Sequence, residues 1–171
     1  PFAKKHRLKI AKIEDLISHR LKTERLIKGI SNKKIHIKKF GNFELKIFKS
    51  KLDGSEHYAI TKGKFNLNKP SRVRVISTNI LDSFFNFNKD IFKNSLRHLN
   101  KFNNFALILI RGTNSNTPSS ENNRILRYYG VGAQIIKELK IKKMILVSRS
   151  KKRIIGLRGY GIEITKQEII K

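Results

Sequence analysis

The stretch RYYGVGAQIIKEL, Arg127 to Leu139, sets two glycines one residue apart at the head of an apolar-periodic run. Placed directly after a strand, such glycines let backbone N–H groups close on a phosphate at a helix N-terminus. Placed within a helix, they let it pack closely on its neighbour. Gly130 and Gly132 follow ILRYY, which is itself helix-like, and no third glycine stands at the dinucleotide spacing. The pattern therefore favours close packing of this helix on a sheet. Two histidines, His57 and His98, could in principle ligate a metal or move a proton, but neither has a second His, Asp or Glu at ligand spacing on one helix face. His57 is read as a hairpin residue packed or hydrogen-bonded locally, and His98 as a solvent-facing helix residue. The chain has no cysteine, which excludes disulfides and thiolate metal sites alike.

The elements that must position these residues follow from periodicity. Ile13, Leu16, Ile17 and Leu21 have helical spacing, with Glu14 and Asp15 near the start and Gly29 near the end, which predicts a helix over 13–30. From Ile35 the period changes to two: IHIKKF (35–40), FELKIFKS (43–50), HYAITKG (57–63) after the turn signal Asp53-Gly54, and RVRVIST (72–78) after Pro70. These four predict an antiparallel meander whose alternate basic residues face solvent. DIFKNSLRHLNKF (90–102) is helical in spacing, and FALILI (105–110) is a short apolar run that suits a buried strand. A polar loop over 111–123, the helix of ILRYYGVGAQIIKEL, a buried strand MILVS (144–148), a short helix over 151–161 ending in glycines, and a last strand IEIT (162–165) complete the order.

Composition bounds the function. A chain of 171 residues can bury a real core. With 39 Lys+Arg against 12 Asp+Glu its formal net charge is +27, which attracts any polyanion at low salt. The lysines, however, are scattered through every segment rather than gathered on an arm, and no RNP-like sequence accompanies them. Nucleic acid is thus expected to bind non-specifically and only at low salt. No apolar run approaches the roughly 20 residues that span a bilayer, and no secretory segment is visible. The start, PFAKKHRLK, is read as that of a cytoplasmic domain cut from a longer polypeptide.

A longer stretch, RYYGVGAQIIKELKIKKMILVSRSKKRIIGLRGYGIEI (127–164), resembles the C-terminal part of GTP cyclohydrolase II, with its R-D-Y-G-I-G-A-Q-like helix start, T-N-N-P-x-K-like turn and G-L-x-G-Y-G-like ending. FGNFELKIFKSKLDGSEHYAITKG (40–63) looks like the opening hairpin of that family, including Asp53, Gly54, Glu56 and His57. FAKKHRLKIAKIEDLISHRLKTE (2–24) is similar to the tail of dihydroxybutanone phosphate synthase where the two are fused. The resemblance implies an α/β (α+β) fold of GTP cyclohydrolase II type, an antiparallel meander followed by a strand-helix-strand-helix-strand half. It implies a synthase tail and linker helix over 1–30 and the cyclohydrolase-like domain over 31–171.

Family chemistry opens the guanine ring of GTP and releases formate and pyrophosphate by means of a zinc-bound water, a metal hydroxide available at neutral pH. The resemblance sets Asn79, Asp90 and Phe92 at the positions of the three zinc cysteines, and Ile125 at the catalytic carboxylate. An amide, one carboxylate and a phenyl group do not make a zinc site, and Ile125 cannot transfer a proton. No zinc or other cofactor is therefore expected. Arg74 and Ser77 fall at nucleotide-binding positions, Arg127 at the arginine implicated in catalysis, and Ser148 and Arg153 where the family has Thr and Lys. These could form a vestigial anion site or be ordinary basic-surface residues. The expected partners are the upstream synthase domain of the same polypeptide, a second copy of the chain, and a weakly held GTP or phosphate; a membrane is not among them. The expected role is structural or regulatory. An active cyclohydrolase with a rebuilt site and a basic RNA-binding module stand as alternatives.

Overall fold

The computed structural model describes residues 1–11, 15, 16, 19, 24–51, 53–78, 89–112, 121–152, 154 and 157–170, with backbone course alone for 78, 89, 90 and 121–128. Seven strands form one sheet among these residues: β1 (Ile27–Ile37), β2 (Gly41–Ser50), β3 (Glu56–Lys62), β4 (Ser71–Thr78), β5 (Phe105–Arg111), β6 (Lys143–Ser148) and β7 (Glu163–Ile169). A short α1 (Phe2–Lys5) precedes them. Helix α2 (Lys89–Leu99) joins β4 to β5, α3 (Glu121–Glu138) joins β5 to β6, and a 3₁₀ turn (Leu157–Tyr160) leads into β7. The strand order is β1-β2-β3-β5-β4-β6-β7. No helix among the described residues is long and apolar enough to cross a membrane.

The meander holds for β1, β2 and β3, which pair antiparallel in sequence order. Their turns use left-handed backbone at Lys39 (φ 75°), Gly41 (φ 101°) and Gly54 (φ 69°). Asp53 closes the second turn by accepting from Ser55 N at 3.1 Å and Ser55 Oγ at 2.7 Å. Two expectations are corrected here. Residues 27–30 are strand rather than the end of a helix, because Ile27 pairs with Ser50 and buries its side chain in the core. Asp15, Leu16 and His19 are helical and residues 24–26 are not, while 13, 14, 17, 18 and 20–23 lie outside the described residues. Strand β4 also leaves the meander: β5 stands between it and β3, and β4 runs parallel to both β5 and β6. A strand in that position is covered on both faces, so its basic residues do not all face solvent.

Alternation along β4 divides its side chains between two cores. Val73 joins the core under α3, built with Val131, Ile135 and Ile136 on Ala59, Ile108 and Ile110. Ile76 joins the core under α2, with Leu96 and Leu99 on Phe43, Ile60, Phe105 and Leu107. The two helices thus cover opposite faces of one sheet. On the α2 face Arg72 makes a bidentate pair with Glu168 of β7, at 3.0 and 2.9 Å, and stacks 3.4 Å over the Phe102 ring. His98 lies 3.4 Å from the same carboxylate and edge-on to Phe102, so it is tied to β7 rather than simply facing solvent. Burial would raise the Glu168 pKa, but the hydrogen bonds and charges of Arg72 and His98 outweigh it and hold the carboxyl below its ordinary value.

Two expected outcomes follow. At Gly63, φ is 73° and an added Cβ would stand 2.2 Å from the Asn103 carbonyl oxygen. Gly63→Ala should therefore lose at least about 2 kcal/mol in urea denaturation; an unchanged midpoint would contradict this packing. A carboxylate whose folded pKa is depressed contributes stability that is present above its unfolded value, about 4.3, and lost as pH falls through the folded one. Glu168→Gln should cost about 2 kcal/mol at neutral pH and flatten the acid limb of the stability profile below the ordinary glutamate range. A variant with the wild-type acid limb would show that the pair does not carry it.

Candidate functional site

From β4 the chain passes through α2 to β5 on one side, then through α3 to β6 on the other. The carboxyl end of β4 is therefore a topological switch point, the place where open parallel sheets leave a crevice. The crevice is visible in the ladders. Pairing of β4 with β5 continues to Thr78 and Arg111, whereas pairing with β6 stops at Val73 and Leu146.

On the α3 face this opening holds a cavity of about 260 Å³. Val75 and Ser77 of β4, Ile110 of β5, and Met144, Leu146 and Ser148 of β6 line it from the sheet; Tyr129, Gly132 and Ile136 of α3 line it from above, with Lys152, Ile154 and Leu157 closing one side. Gly132 is bare because a Cβ there would come 3.2 Å from Ile110 Cδ1, and one on Gly130 would come 3.3 Å from Tyr160 Oη. The glycines serve close helix packing, as their spacing predicted. Ser148 Oγ donates to Ser150 O at 2.7 Å, and Gln167 grips both the N–H and the carbonyl of Lys152, at 3.0 and 2.8 Å. On the same helix, Gln134 Oε1 accepts from Leu26 N at 2.9 Å, while Lys51 N donates to Leu26 O at 2.7 Å. The motif's glutamine thereby fixes the entry of the preceding segment into β1.

Of the residues singled out in the sequence, the structure brings Ser77 and Ser148 together at this cavity. Arg74 lies on the opposite face of β4 with Arg72 and Ile76. It is 4% exposed, its Nη1 donates to Val147 O at 3.3 Å just past the end of the β4–β6 ladder, and its Nε has no partner. Burial, and then the charge of Arg149, lower its pKa. The Arg127 backbone belongs to α3, but its side chain lies outside the described residues, as does all of Arg153. Val75, Tyr129, Met144 and Lys152 were not singled out; apolar spacing reads as core, and a lysine in a lysine-rich loop carries no signal.

The positions matched to zinc ligands do not fit a metal. Phe92 packs a phenyl ring against the core under α2, and Asp90 sits in the first turn of that helix; Asn79 lies outside the described residues, as does the Ile125 side chain. The donor set offered is wrong for zinc. His57 is 3% exposed; its Nδ1 accepts from Arg111 N at 3.2 Å, and its Nε2 lies 3.3 Å from Ser55 Oγ. Since Ser55 Oγ donates to Asp53, the ring proton must be on Nε2, and burial lowers the pKa in favour of that neutral form against the charge of Asp53. This ring locks a hairpin and is not placed as a general base towards Ser55.

A family model for GTP cyclohydrolase II matches residues 28–117 and 92–168. The riboflavin biosynthesis protein RibBA of Aquifex aeolicus (strain VF5) is 30% identical, over 99% of this chain and 48% of that protein. The monofunctional riboflavin biosynthesis protein RIBA 2, chloroplastic, of Arabidopsis thaliana is 32% identical over 96% of this chain and 38% of its own. Among solved structures, RibBX, a two domain 3,4-dihydroxy-2-butanone 4-phosphate synthase from A. baumannii, superposes with a TM-score of 0.59 at 27% identity, covering 99% of this chain and 47% of that one. The chain spans half or less of the length of these relatives. With the family model matched over most of its residues, the chain belongs to the GTP cyclohydrolase II family.

Proposed function

We propose that this cytoplasmic domain is a catalytically inactive GTP cyclohydrolase II domain that serves a 3,4-dihydroxy-2-butanone 4-phosphate synthase in the same polypeptide, as a structural or regulatory element. What carries the reading is the donor set: a core phenyl group at Phe92 and an aliphatic Ile125 occupy the positions that the resemblance matches to a metal ligand and a proton carrier. The A. baumannii relative supports it, being a two-domain protein named for the synthase alone. So does the first segment, read as a synthase tail over 1–30 ahead of the domain over 31–171, although residues 27–30 already belong to strand β1. Helix α1 buries none of its side chains, and Phe2, Leu8, Ile10 and Leu16 are all more than half exposed, as suits residues that pack on a neighbouring domain.

A second reading concerns residual anion binding. Arg74 is a buried guanidinium with a free Nε, pushed by Arg149 and paired with no carboxylate among the described residues. Such a group is relieved by an anion. Arg74, with Arg127 and Arg153 as the sequence suggested, is proposed to retain weak affinity for GTP or phosphate, whereas Ser77 and Ser148 line the cavity on the other face of β4 and are not part of that site. A second copy of the chain belongs to this reading as a partner; nucleic acid does so only as low-salt binding to a charge of +27.

The purified domain should hold no stoichiometric zinc and release no formate from GTP, as read by elemental analysis and a formate assay. One zinc per chain, or turnover that a chelator abolishes, would favour an active enzyme with a rebuilt site. In a GTP titration at moderate salt, Arg127→Ala should weaken binding roughly tenfold, the loss expected when a charge-assisted phosphate contact is removed. Equal affinity in both proteins would reduce the site to diffuse charge.

A further inference from the structure

We infer that the cavity under α3 is a binding site for a compact aromatic acid, a fused-ring body with one anionic group, rather than for a nucleoside triphosphate. This rests on the reading that the domain has lost cyclohydrolase chemistry, and names what its remaining crevice takes.

The lining decides the body of the ligand. Val75, Ile110, Ile136, Met144, Leu146 and Leu157 present hydrocarbon and thioether surface, and an apolar cavity of about 150 Å³ is enough to hold benzene. A volume of about 260 Å³ accommodates two fused rings with a substituent. Tyr129, 41% exposed, and Val75, 37% exposed, leave the mouth apolar and open, with a tyrosine ring available to stack. Gly132 keeps the roof free of a side chain, where a Cβ would crowd Ile110 Cδ1 at 3.2 Å.

The polar groups decide the rest. Ser148 spends its hydroxyl proton on Ser150 O, leaving Ser77 as the free hydroxyl on the sheet side. One cation, Lys152, stands at the rim among the described lining residues, on a backbone held from both sides by Gln167. A triphosphate needs several charge-assisted donors, and a purine needs polar partners for its edges. Among the described lining residues, one ammonium with the hydroxyls of Ser77 and Tyr129 matches a single carboxylate. Arg74, the buried guanidinium, is on the other face of the sheet and does not reach this space.

The chain contains a single methionine, Met144, and its side chain lines the cavity. Protein labelled with ¹³C at the methionine methyl therefore gives one resonance that reports on the cavity. Titration with 2-naphthoate at moderate salt should shift it saturably, and GTP should leave it in place. Lys152→Gln should weaken 2-naphthoate roughly fivefold, as for a rim ion pair of about 1 kcal/mol, and leave neutral 2-naphthylmethanol unaffected. Val75→Phe, which fills the cavity from a partly exposed position, should abolish the shift. Should that variant fail to fold, Lys152→Gln and the neutral analogue still decide. An unmoved methyl at saturating 2-naphthoate, an equal response to GTP, or unchanged affinity in Lys152→Gln overturns the inference. Formate release from GTP would instead overturn the reading beneath it.

Discussion

Everything at the crevice depends on β4 having parallel partners on both sides. A strand so placed is covered on both faces except at its carboxyl end, where Val75 and Ser77 are exposed, and its alternation must be accommodated largely within the two layers. One set of side chains, Val73, Val75 and Ser77, suits the apolar layer under α3. The other set contains two guanidinium groups. Arg72 is satisfied by a bidentate carboxylate and an aromatic ring, while Arg74 has a carbonyl that the interrupted β6 ladder leaves within reach. Burying a guanidinium without a counter-ion is costly, and the molecule tolerates it where the sheet parts.

Much of the architecture was legible in the sequence, because strands β2 and β3 and helices α2 and α3 have a clear period and β5 and β6 are short apolar runs. The neighbours of β4 were not. RVRVIST alternates like an edge or meander strand, and only the placement of Phe105–Arg111 between it and β3 turns that pattern inward. Residues 27–30 were misread because a helical run just upstream extends plausibly to Gly29, while the deciding partner, Ser50, lies far along the chain. The site was legible in part: Ser77 and Ser148 converge, but whether an arginine two or three residues from a serine shares its face depends on strand parity and on which helix covers that face. Arg74 has the wrong parity to join Ser77.

Acidic residues are scarce, and the structure uses several of them internally. Glu168 clamps β7 to β4 and α2, Asp53 closes the turn before β3, and Glu56 accepts from Tyr58 Oη at 2.9 Å. By contrast Glu44 and Lys46 meet at 4.0 Å on the surface, a contact of little energetic weight. With 12 Asp+Glu against 39 Lys+Arg, most basic side chains of the exterior have no carboxylate to pair with. The fold is held by its apolar layers and a handful of bonded acids rather than by surface pairing.

Strand β1 extends this point beyond the single molecule. It is an 11-residue edge with no strand on its outer side among the described residues, and its register slips between Gly29 and Ser31. A long open edge is a template for strand addition by another chain. Here it carries Lys28, Lys33 and Lys34, so two such edges approaching in water of low ionic strength repel, and the slip denies them a continuous ladder. The colloidal behaviour of the protein is thus set by ions in solution: the same salt that removes polyanions from its surface also removes the barrier that keeps its copies apart.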